Sequence, residues 1–144
     1  MENMNISTGR VQIMVNNDEA RVISFNPSDL RFAERYYALL ASSEKVLGDY
    51  EKREAELDKD KTTDAYGIPT NMPARFELLK EVCDYMKAQI DSVFGEGTSA
   101  AAFADEYELD MFDQFFNGVT PYIQKVRSSK VAKYTAAHKN GVLK

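Results

Sequence analysis

Residues 76–94 read FELLKEVCDYMKAQIDSVF. Phe76, Leu79, Val82, Cys83, Met86, Ile90, Val93 and Phe94 recur at steps of three and four, while Glu77, Lys80, Glu81, Asp84, Lys87 and Asp91 mostly fall elsewhere. That is the period of a helix with one buried face rather than the alternation of a strand. Asn71 and Pro73 stand where a helix opens, and Gly95 stands where a left-handed cap would close it. The spacing therefore predicts a central core helix, against which the rest of the chain must pack.

Upstream, Asn26-Pro27-Ser28-Asp29 ends a strand and starts a helix, with Ser28 placed to cap the first turn. Leu30, Ala33, Tyr37, Leu40, Leu47 and Tyr50 give that helix one apolar stripe, continuing to about Leu57. Its later part, Glu44 to Asp60, is dominated by charge and reads as a solvated, protruding half. A loop from Asp58 to Pro73 follows. Before the helix, Val11, Ile13 and Val15 alternate with Arg10, Gln12 and Met14, and Asn16-Asn17-Asp18-Glu19 supplies a turn before Arg21-Val22-Ile23-Ser24-Phe25. This is a β-hairpin. A lone hairpin is marginal in water, so its apolar face needs helices over it or a strand from another subunit, which points to a homo-oligomer as one solution.

Downstream, Gly95-Glu96-Gly97-Thr98 is a joint leading to a short helix over Ser99 to Ala104. A third long helix is predicted from about Glu106 to Arg127, with Leu109, Phe112, Phe115 or Phe116, Val119, Ile123 and Val126 inward and with Gly118 and Pro121 bending or breaking it. The fold class is mainly α with a small N-terminal β-hairpin, that is α+β, with three main helices. It forms one domain over residues 1–129, followed by a basic flexible tail over 130–144.

Composition sets the function class. Of 144 residues, 44% are hydrophobic and 28% charged, ordinary usage for a folded domain. Residues 120–144 carry six basic side chains and no acidic one; the first 119 hold the other 12 of 18 basic and all 23 acidic residues, a net −11. Such polarity suits contact with other macromolecules. Chemistry is poorly supplied: one His, one Cys and no Trp leave few groups able to catalyse near neutral pH. The expectation is a protein that is not an enzyme and has no cofactor or metal. Cys83 lies within the helical stripe as a small buried hydrophobe. The polar start and the lack of a long apolar run predict no membrane association and a cytoplasmic location.

Short motifs give way to plainer readings. Asp58-Lys59-Asp60-Lys61-Thr62 matches a phosphotransferase string, but it follows a charged helix rather than a buried strand. As a calcium loop the same cluster has Thr63 where a glycine should turn the chain. Gly95 to Ser99 could face a phosphate, yet it lacks a lysine and contains Glu96; a helix stop followed by a Thr98 or Ser99 N-cap explains it. His138 has no Cys, Asp or Glu nearby, and Asn5-Ile6-Ser7 is a chance glycosylation string. The acidic body and the single interleaved Tyr134 of the tail argue against nucleic-acid binding. Phe115 and Phe116 point about 100° apart on a helix. Burying both needs cover on two sides, from within the chain or from a partner, and this nominates Phe112, Phe115, Phe116 and Tyr122, together with Tyr50 of the protruding helix, as partner-binding residues.

The order of segments then resembles a known family. Val22-Ile23-Ser24-Phe25-Asn26-Pro27, the charged helix, Asp64-Ala65-Tyr66-Gly67-Ile68-Pro69, Val93-Phe94-Gly95-Glu96-Gly97-Thr98 and Met111-Phe112-Asp113-Gln114-Phe115-Phe116 together look like the tail assembly chaperone-like proteins of phages and prophages of Gram-positive bacteria. The resemblance implies a virion morphogenesis protein of the bacterial host cytoplasm that binds the tape measure protein, and in addition the tail tube protein, during tail assembly. A second function class is a small phage-encoded protein that binds and inhibits or triggers a host defence protein.

Overall fold

In a computed structural model, the backbone of residues 1–139 and the side chains of residues 1–126 are described. The elements run β1 (Val11–Val15), β2 (Asp18–Phe25), α1 (Leu30–Asp58), α2 (Met72–Phe94), α3 (Thr98–Phe103) and α4 (Asp110–Lys139). This is the α+β layout of a hairpin followed by helices.

The hairpin turns on Asn16 and Asn17, whose φ values of 53° and 58° are both left-handed. Two such residues make a type I′ turn, whose twist matches that of paired strands. The strands pair antiparallel, Val11 opposite Phe25 and Ile13 opposite Ile23, until the register shifts between Met14 and Val15. The residues left over at this bulge include Arg21. Its side chain reaches α3, where Nε donates to the Ala101 carbonyl at 2.8 Å and Nη2 to that of Ala102 at 2.9 Å. The last carbonyls of a helix have no partner within it, so one guanidinium ties the hairpin to α3 by satisfying two of them.

Asp29, not Ser28, caps α1, its side chain accepting from the Arg31 amide at 3.0 Å. The buried face of α1 is also turned from the expected one. Phe32, Ala33, Tyr36, Leu39 and Ser43 face inward, whereas Leu30 and Tyr37 are exposed. Both stripes have helical spacing, and only the neighbours that α1 packs against, α2 first among them, select between them. α2 is the core element that its pattern predicts, with Leu78, Val82, Cys83, Met86 and Ile90 buried, but Phe76 at its first turn is exposed. Gly95 closes α2 as expected, its amide donating to the Asp91 carbonyl at 2.8 Å, but its positive φ of 114° goes with ψ 151° and so lies outside the αL region; Gly97, which caps α3, is the αL residue.

Loops 59–71 and 95–97 are tied down by side chains. Asn71 donates to the Leu57 carbonyl at the end of α1 and accepts from Arg75 Nε, and Arg75 pairs with Asp58 at 2.6 Å. Asp60 and Asp64 accept from the amides of Thr62 and of Tyr66 and Ile68. Asp91 takes both the amide and the hydroxyl of Ser99 at 2.8 Å, so α2 supplies the cap that Thr98 or Ser99 was expected to give. The amide that a phosphate reading needs is thereby occupied.

α4 passes through Pro121 and continues to Lys139, beyond the Arg127 end that loss of the apolar stripe predicts. Lys and Ala have high helix propensity, which apolar periodicity does not record. The backbone of 130–139, the first part of the expected basic tail, therefore belongs to α4, while residues 140–144 and the side chains from Arg127 onward, that of His138 included, lie outside the described residues.

Candidate partner-binding groove

The core is built largely of rings. Phe94 at the end of α2 stands within 5.1–5.9 Å, centroid to centroid, of Phe25, Phe32, Tyr36 and Phe115, each meeting it edge to face. Phe112 and Phe115 pack on Phe103 of α3, and Phe116 packs on Tyr36 and on Phe115. Edge-to-face contacts place positive ring edges on negative faces. The Tyr36 hydroxyl, buried within this cluster, hydrogen-bonds Thr120 Oγ1 at 2.7 Å and donates to the Phe116 carbonyl, and burial raises its pKa.

This arrangement corrects the predicted interface. Phe112, Phe115 and Phe116 are 0%, 7% and 8% exposed, so they are core residues, and of the three only Phe115 also borders open space. The two-sided cover that adjacent phenylalanines require comes from α1, α2 and α3 of the same chain. Tyr122 is exposed at its outer side, with its ring against Phe25. Tyr50 is half-buried and donates to Glu54 at 2.7 Å; that hydrogen bond, with some burial, pushes its pKa up to about 12. Tyr50 makes no ring contact with the others among the described residues. Cys83 is fully buried, and burial pushes its thiol up, away from the reactive thiolate.

The open surface lies beside that cluster. Between the turn end of the hairpin and α4 is a groove of about 360 Å³. Ile13, Val15, Ile23, Met111, Phe115 and Val119 form its apolar lining, with Met14, Asn16 and Gln114 at its sides and no charged side chain among its lining residues. Ile23 and Val119 are buried, Met111 is half-buried and Met14 is 51% exposed. Gly118 forms part of the α4 wall, and a Cβ built on it would meet nothing within 4 Å. A glycine inside a helix is destabilising by about 0.5–1 kcal/mol relative to alanine. Packing within the described chain does not require it here. What it provides is bare backbone along an apolar channel, where another chain can approach closely.

Sequence reasoning missed the groove because it read Gly118 as a bend and Ile13 and Val15 as covered hairpin residues. The usable signal was a mid-helix glycine one turn after Gln114 and beside Phe115. Among the described residues, no group of three or more His, Cys, Asp or Glu could hold a metal ion, and no helix is long and apolar enough to cross a membrane.

The chain belongs to DUF6673, a family of unknown function, which it matches over residues 17–141. That span contains β2, all four helices and the α4 wall of the groove. No curated protein and no solved structure matches the chain.

Proposed function

We propose that this protein is a non-catalytic binding protein whose groove between the hairpin and α4 receives an apolar segment of a partner chain, and that the partner is a phage tape measure protein held soluble during tail assembly. The observation that carries the binding reading is the groove, open and uncharged among the described residues, with Gly118 in its wall. Apolar area removed from water stabilises a contact by about 25 cal/mol per Å². A long helical chain with exposed apolar stripes would gain from such a site until its own assembly partner covers it. The choice of partner is supported by the segment resemblance set out above, by the scarcity of catalytic side chains, and by the segregated charge of the sequence.

The test is genetic and biochemical together. Co-expression is expected to keep the tape measure protein of the same phage in the soluble fraction, and deletion of the gene is expected to give aggregated tape measure and tailless capsids. Normal tails from the deletion phage overturn the assignment.

A further inference from the structure

The opposite end of the hairpin carries a surface of different character. Arg10, Arg31 and Arg35 line a notch of about 260 Å³ whose walls include Phe25, Phe32 and Phe94. Arg35 and Val93 are shared with an adjoining hollow of about 480 Å³ between α1 and α2, where Ser42, Gln89 and Ser92 are the polar lining. Residues 31 to 42 of α1 run along both, a rise of about 16 Å at 1.5 Å per residue, enough for about five extended residues.

The three arginines are all exposed, and none takes part in an ion pair among the described residues, where Arg53, Lys59 and Arg75 hold the pairs that form. Arg10 donates to the Ser24 hydroxyl at 3.1 Å, and among the described residues the guanidinium groups of Arg31 and Arg35 make no hydrogen bond. The one carboxylate lining the notch is Asp29, already bonded to the Arg31 amide. The notch therefore holds a local surplus of positive charge on a body whose first 119 residues carry a net −11.

We propose that this notch binds an acidic peptide segment of a partner protein, its carboxylates on the guanidinium groups of Arg31 and Arg35 and a neighbouring apolar side chain against the half-buried Val93 and Phe94. Planar guanidinium groups hold carboxylates in paired, charge-assisted hydrogen bonds. The half-buried Val93 and Phe94 reward an apolar neighbour, which a free anion lacks. A polyphosphate chain would extend its charge over the acidic body and be repelled, whereas a peptide can place its carboxylates only beside the arginines. The surface is separate from the hairpin–α4 groove, and the inference does not rest on the reading of that groove.

Fluorescence anisotropy at low salt decides the matter with three labelled probes: a peptide of glutamates flanking a phenylalanine, the same peptide with glutamines, and a single-stranded oligonucleotide of equal negative charge. The full chain is expected to bind the glutamate peptide at least about tenfold more tightly than either other probe, with affinity falling as salt rises. The double variant Arg31→Glu with Arg35→Glu is expected to lose at least about tenfold, while Lys61→Glu in the exposed loop keeps parental binding, all three proteins melting alike. Equal binding of the two peptides, failure to bind either, retained affinity in the double variant, or preference for the oligonucleotide overturns the proposal.

Discussion

Phe116 shows how one ring separates a core from an interface. It lies 6.1 Å from Tyr36 and 5.7 Å from Phe115, is 8% exposed, and is not among the residues lining the groove. Removing it opens a cavity, and a serine there adds a hydroxyl needing a partner. Phe116→Ser is expected to lower unfolding free energy by about 3–5 kcal/mol in denaturant titration. An unchanged midpoint would contradict its place in the core. Gly118, two positions along the same helix, makes the opposite case, since nothing within 4 Å awaits its side chain.

The elements are joined by a few polar side chains, of which Arg21 ties β2 to α3. Its guanidinium answers the Ala101 and Ala102 carbonyls at the end of a six-residue helix too short to persist alone. Arg21→Ala is expected to cost about 1–3 kcal/mol and to speed amide exchange in α3 well before that in α2; parental exchange rates in α3 would show that the tie is dispensable. This contact also marks where sequence legibility ends. The α2 stripe and the Asn16-Asn17 turn could be read because local spacing and turn chemistry determine them. The rotation of α1 onto Phe32 and Tyr36, the Asp91 cap on Ser99 and the reach of Arg21 are set by neighbours distant in the chain, and periodicity carries no record of them. The candidate site was half legible for the same reason: Phe115 was singled out, but as an exposed anchor, whereas it forms the floor of a groove whose other wall is the hairpin.

At the scale of the whole molecule, a ring-packed core leaves two surfaces at opposite ends of the hairpin, one uncharged and apolar, the other lined by arginines on an acidic body. The central claim is that the first of these holds a partner chain. Filling it tests this without disturbing the core, because Gly118→Leu adds a side chain into open space and replaces a poor helix former with a good one. Titration calorimetry of the tape measure protein against the parent and Gly118→Leu, alongside their melting temperatures, is the direct measurement. The account predicts that the variant melts at or above the parental temperature and binds at least about tenfold more weakly, a loss of about 1.4 kcal/mol or more. Parental affinity in a folded Gly118→Leu protein would contradict it.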